Sequence, residues 1–270
     1  MKCEIIKEDG YNLHVIKTNK FKTVSVILNY IGPRDKKSTV YLNVLDCMLL
    51  YLSNDYKDRV SFVKACGKMY DLRFRTNLQK WGKYNNFGLS ISFINEKYTE
   101  KNMNKKSIEF GLRQIFNPYA SGGAFNKEFF EMFKKLYYED LISVKDNPDS
   151  YSSMRLKEEL GKKELHIYTA EEELKILEKM NEKNLYSFYK KILKNYQLEI
   201  FVIGNIDAQD VNKILKKKIK RKINDSSSKK FELEHKKIKT RVRKVEESCE
   251  FAQSKLEMGF KSQGLTDFEK

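Results

Sequence analysis

The hydrophobic positions along the chain switch between a period of two and a period near 3.6, and those switches predict its elements. From Glu4 to Lys17 two short strand patterns flank Asp9-Gly10, a turn dipeptide between β-rich flanks. Val24, Val26, Leu28 and Tyr30 alternate with Ser25 and Asn29, giving a third strand over 24–31 that Gly32-Pro33 ends. The run Val40 to Leu52, VYLNVLDCMLLYL, is apolar almost all round and predicts a helix buried on every side. A second helix is expected from Asp58 to Cys66. After it, Tyr70, Leu72, Phe74 and Leu78 alternate with Asp71, Arg73, Arg75 and Asn77, a strand with one buried face and one wet face. Phe87 to Ile94 repeats this pattern with Ser90 and Ser92 outside, and the polar loop 79–86 between the two implies an antiparallel hairpin.

Helical periodicity dominates the second half. A helix over 107–116 is followed by Asn117-Pro118 and by Gly122-Gly123, which lack the spacing of a phosphate-binding loop. Asn126 is placed to cap a helix to about Val144, with the stripe Phe129, Phe130, Phe133, Leu136, Tyr137 and Val144, on which Asp140 also falls. Asp146-Asn147-Pro148 breaks it, and Asp149 or Ser150 is expected to cap a helix to about Leu160. Helices over 170–177 and 182–194 follow. Leu198 to Ile203 is a continuous apolar run and so a central strand, after which Asp207 caps a helix to about Lys220. Residues 224–230, with three serines, read as a linker, and Leu256, Met258 and Phe260 as a further strand. Hairpins early and helices in a block later predict an α+β fold, with a mostly antiparallel sheet and helices packed on one face. The expected organisation is a domain over 1–224, a basic linker over 225–244 and the start of a second, similar domain over 245–270.

Composition narrows the function classes. With 270 residues, 40% hydrophobic and 13% aromatic, the chain fills a real core and is expected to be soluble and globular. No window approaches the roughly 18 apolar residues of a membrane span, and no apolar run follows the first lysines. Cysteines at 3, 47, 66 and 249 form no C-x-x-C pair, so neither a disulfide framework nor a zinc ribbon is indicated and a cytoplasmic location fits best. The net charge of +16 is concentrated: residues 213–244 hold fifteen Lys or Arg against three acids. That segment has a single aromatic, Phe231, and no stacking pattern, so a solvated linker explains it better than a nucleic-acid surface.

The candidate chemistry lies in the run at 40–52. Asn43 and Cys47 stand one helical turn apart with Asp46 beside them, the slots an H-x-x-E-H zinc helix uses to aim two imidazoles and a general base at one point. Here they read N-V-L-D-C, which points to the relic of a metallopeptidase site. Asp140, on a buried helix face, is either hydrogen-bonded structure or part of the same remnant, structure being the ordinary explanation.

Several segments resemble the first domain of the insulinase or pitrilysin-like metallopeptidases, the inverted zincins. YIGPRD resembles the family's approach to its zinc helix, FVIGNIDAQDV its last strand and following helix, and FAQSKLEMGF the start of its second domain. LRFRTNLQKWGKYNNFGLSISFINEKY, NPYASGGAFNKEFFEMFKKLYYEDLISVKDNPDSYSSMRLKEEL and NLYSFYKKIL are similar to a bacterial branch that lacks the zinc motif and is paired with an active homologue. By this resemblance the two His ligands fall on Asn43 and Cys47, the Glu base on Asp46, and the downstream Glu ligand on Asp140 or its neighbour Glu139. Neutral Asn is a poor zinc ligand, and Asp46 is one methylene shorter than Glu. The three histidines, His14, His166 and His235, occupy none of these positions.

The resemblance therefore implies a catalytically silent subunit, without metal or other cofactor, that pairs with an active zinc peptidase homologue and helps enclose a peptide or protein substrate. A soft divalent metal on Cys47, Asp46 and Asp140, an active zinc endopeptidase and a basic nucleic-acid-binding module are the competing expectations, and a buried Cys is more often a small hydrophobe. Active members add peptide as a strand to a sheet edge. The hairpin around 72–78 and 87–94 is where that edge is expected.

Overall fold

A computed structural model describes residues 2–50, 52–161, 168–221 and 242–260, and every statement of absence below concerns those residues. The chain opens with β1 (Glu4–Glu8), β2 (Tyr11–Lys17) and β3 (Thr23–Pro33), all three at the expected places. Tyr11, Leu13 and Val15 of β2 and Val24, Val26, Leu28 and Tyr30 of β3 are buried on one side, so the period-two pattern defines the core face.

Helix α1 (Lys36–Met48) starts earlier than the apolar run because a reciprocal cap fixes its first turn. The Asp35 carboxylate accepts from the Ser38 backbone N–H at 2.7 Å, and Ser38 Oγ accepts from the Asp35 N–H at 2.9 Å. Before it, Gly32 lets the Tyr196 ring lie against the backbone, where a Cβ would meet ring carbon at 2.2 Å. Helix α2 (Arg59–Gly67) is capped by Asp58.

β4 (Arg73–Trp81) and β5 (Tyr84–Ile94) form the expected hairpin, with two corrections. Tyr70 and Asp71 have φ near +57° and lie outside the strand, with Tyr70 exposed. The polar loop 79–86 is mostly strand, since Gln79, Lys80 and Trp81 pair with Asn86, Asn85 and Tyr84. The turn shrinks to Gly82-Lys83, where Gly82 takes φ +53°.

Next come α3 (Met103–Phe116), a small ribbon of β6 (Ala120–Ser121) and β7 (Ala124–Phe125), and α4 (Lys127–Ser143), capped by Asn126 as expected. α5 (Pro148–Gly161) is capped by Asn147, whose Oδ1 accepts from the N–H groups of Asp149 and Ser150, rather than by either of those residues. α6 (Ala170–Glu178), α7 (Glu182–Asn195), β8 (Gln197–Gly204) and α8 (Ala208–Lys218) complete the order. Asp207 precedes α8 but makes no side-chain cap bond, and pairs instead with Lys17.

The sheet order is β1-β2-β8-β3-β5-β4, so β8 is central and β4 is an edge. Only the β2–β8 pairing is parallel, and the other four are antiparallel. Helices α1, α3, α7 and α8 lie against the sheet, and α4 and α6 stand over α1 as a second tier. No helix is long and apolar enough to cross a membrane.

The boundary expected within 224–244 falls largely outside the described residues. Leu256, Met258 and Phe260 form no strand there and are 83%, 68% and 87% exposed. The segment 242–260 runs along α5, where the Arg155 guanidinium grips Glu247 and Lys255 reaches Asp149 at 2.7 Å.

Candidate functional site

α1 is wedged between the sheet edge and the second tier, so its polar face is where elements far apart in sequence meet. Val40, Leu42, Val44 and Leu45 are buried, whereas Asn43 and Asp46 are half-buried and Cys47 is exposed. The expectation of a helix buried on every side is thus corrected: the stripe through Asn43 and Cys47 is open. The apolar run misled because it continues through Leu49 to Leu52, beyond the helix end at Met48.

On the sheet side, Thr76 of β4 donates its hydroxyl to the Asp46 carbonyl oxygen at 3.1 Å. Asp46 Oδ1 is enclosed without a hydrogen-bond partner. Burial raises the Asp46 pKa above the usual carboxylate range, and Thr76 opposes the shift.

On the other side, Asn43 Nδ2 donates to Tyr137 Oη of α4 at 2.6 Å, and Tyr137 Oη donates to Glu173 Oε2 of α6 at 2.5 Å. Burial first, and then the Glu173 charge, hold the Tyr137 phenol far above the ordinary tyrosine range, so it stays protonated and keeps its donor role.

Asp140 lies one turn beyond Tyr137. Its charge acts on Cys47, whose thiol is raised by burial first and then by Asp46 and Asp140. Asp140 itself is exposed, which corrects its placement on a buried face. Glu139 is also exposed and pairs with Lys135 at 3.7 Å, so it is not drawn into the site. The structure therefore gathers Asn43, Asp46 and Cys47 with Asp140 nearby.

Zinc, the metal of an intact H-x-x-E-H site, does not fit this set. The Asn43 amide is committed to Tyr137, neutral Asn is a poor zinc ligand, and burial with the Asp46 and Asp140 charges raises the Cys47 thiol, which disfavours the thiolate. No group of three His, Cys, Asp or Glu side chains is arranged to hold a metal ion. His14 is on the far face of the sheet, 2.7 Å from Glu199 and stacked on Phe201, while His166 and His235 lie outside the described residues.

Sequence reasoning missed the hydroxyl of Tyr137, read there only as apolar stripe, and the carboxylate of Glu173. It also missed a basic flank in which Arg34, Lys157 and Glu173 act on the Lys80 ammonium. Lys80 fell in the stretch 79–86 read as a polar loop, so its side of the strand was not legible, and nothing local in the sequence pointed to its neighbours.

Known proteins resemble this chain in sequence and in fold. Residues 179–270 match the family described as Peptidase M16 inactive domain. The chain is 23% identical over 258 residues to the protein named probable inactive metalloprotease YmfF of Bacillus subtilis (strain 168), covering 95% of this chain and 60% of that protein. A conserved protein from Enterococcus faecalis V583 has the same fold, with a TM-score of 0.75 at 22% identity over 82% of this chain and 53% of its own. A peptidase M16 inactive domain from Pseudomonas fluorescens gives 0.63 at 11% identity, covering 81% of this chain and 50% of its own. A protease from Helicobacter pylori gives 0.61 at 13% identity, covering 83% and 51%. The chain thus spans 60% of the curated relative and about half of each solved chain. Fold, family match and curated relative point the same way: the chain is similar to M16 peptidase-like proteins, and both its family match and its curated relative are described as inactive.

Proposed function

We propose that this chain is a non-cleaving M16 subunit of the cytoplasm that holds peptide as an added strand on β4 and pairs with an active zinc peptidase homologue. The observation that carries the reading is the position of β4. It is a sheet edge whose outer side pairs with no described strand, and it touches α1 through Thr76 and Asp46, beside the altered zinc positions. An added strand gains backbone hydrogen bonds with little demand on sequence. At the zinc positions stand Asn43 and Cys47, so the peptide is held without an activated water.

Hydrogen exchange of the full chain with and without an extended peptide tests this. Protection of amides in 73–81, with the peptide recovered uncut by mass spectrometry, is expected. Protection elsewhere only, or cleavage, contradicts it. Pairing is checked by co-purification from the native source, where an M16 homologue carrying H-x-x-E-H is the expected companion.

A further inference from the structure

β4, β5 and their turn, residues 73–94, carry Arg73, Arg75, Lys80 and Lys83 and no acidic residue. Alternation along β4 sends these charges to both sides of the open edge. Phe74 and Leu78 belong to or pack on the core, and Thr76 reaches Asp46, so the even positions face the helices. Lys80 shares that parity and lies where Arg34 and Lys157 add to its positive surroundings, while Arg73 and Arg75 point to the opposite, wet side. Lys80 is solvent-exposed overall, but partial desolvation of its ammonium holds it below the ordinary lysine range, Glu173 opposing the shift and Arg34 and Lys157 adding to it. Glu173 already accepts from Tyr137. Lys80, Lys157 and Arg75 have no carboxylate partner among the described residues, and Arg73 is only loosely paired, 3.9 Å from Asp71. Cations crowded at an open strand edge repel one another unless an anion comes between them.

We propose that the peptide held on β4 is acidic, with a carboxylate side chain opposite Lys80 on the helix side and further carboxylates opposite Arg73 and Arg75 on the wet side. The assignment rests on the reading of β4 as the peptide-binding edge. It also fixes a register. Lys80 lies four residues beyond Thr76, ~13 Å along the strand at about 3.3 Å per residue. The peptide residue level with Thr76 meets the Asp46 end of the site and is uncharged, and the acidic one comes four positions away.

The test is fluorescence anisotropy on the full chain with labelled nine-residue peptides, the length of β4. One peptide carries acids at the stated spacing, one has Gln in their place and one has Lys. The acidic peptide is expected to bind about tenfold tighter than its Gln counterpart at low salt, with the advantage shrinking at about 0.5 M NaCl. Lys80→Gln with Arg75→Gln should remove the advantage, and Lys80→Arg should keep it. Lys213→Gln with Lys217→Gln, exposed on α8, removes the same charge and should leave it. Equal binding of acidic and Gln peptides, tighter binding of the Lys peptide, or equal losses from the two double variants overturns the acidic assignment and leaves β4 as a peptide edge. No binding by any peptide removes the edge reading and the assignment together.

Discussion

The amide of Asn43 on α1 donates to the phenol of Tyr137 on α4 at 2.6 Å, joining residues 94 positions apart at the place where a zinc helix would offer its first imidazole. The same phenol donates to Glu173, so one hydroxyl ties α1, α4 and α6 together. A position that would serve chemistry in a zinc peptidase serves structure here.

Tyr137→Phe leaves the Asn43 amide and the Glu173 carboxylate short of a partner, at a cost of about 1–3 kcal/mol in denaturant unfolding. Combined with Asn43→Ala, the loss should be less than the sum of the single losses by about 0.5 kcal/mol or more. Additive effects would show that the bridge contributes nothing.

Restoring ligand types by Asn43→His, Asp46→Glu, Cys47→His and Asp140→Glu together should give weak zinc binding and no turnover. Cys47 and Asp140 are exposed and tolerate larger side chains, but an imidazole at half-buried Asn43 breaks the Tyr137 bridge and overpacks, costing about 1–3 kcal/mol. Chelator-sensitive hydrolysis well above background in this variant would show that side-chain identity alone separates it from an active site.

Asp46 gives a pH dependence with a definite sign. Its folded pKa is raised by burial, so the folded state binds the proton more tightly than the unfolded chain does. The associated stability is fully present below the unfolded value and is lost as pH rises through the folded one. Asp46→Asn should therefore stabilise the protein at pH 7 and progressively less toward pH 4, by well under ~1 kcal/mol because solvent reaches the half-buried group. Thermal melts of both proteins across that range measure it, and a difference that grows toward acid pH contradicts the assignment.

Much of the fold was legible because its signals are local. Alternation in Val24–Tyr30 and Arg73–Leu78 located the sheet's buried face, and Asn126 and Asp58 marked helix starts through caps made within three residues. The site was legible only along α1, where one-turn spacing puts Asn43 and Cys47 together. Its other half depends on tertiary packing: Glu173 lies 36 residues from Tyr137, and neither carries a mark of the contact. The exposure of Cys47 was hidden because cysteine reads as apolar, although one-turn spacing puts it on the same open face as Asn43. Leu256, Met258 and Phe260 alternate like a strand, but a strand needs a neighbour to pair with, and none of the described residues pairs with them.

Arg155 is the main anchor of 242–260 on α5, through Glu247. Arg155→Ala should raise amide exchange across 242–260 while leaving β3 and β8 protected. Unchanged exchange there would assign the anchoring to the remaining contacts with α5, among them Arg243–Glu159, Lys255–Asp149 and Glu257 with Ser152 and Ser153.

The most direct measurement is zinc content together with peptide cleavage on the full chain after incubation with excess zinc and desalting. Far less than one zinc per chain and no chelator-sensitive hydrolysis are expected from the Asn43, Asp46 and Cys47 set. One tightly held zinc per chain, with hydrolysis abolished by chelator and restored by zinc, would contradict the account of a non-cleaving chain.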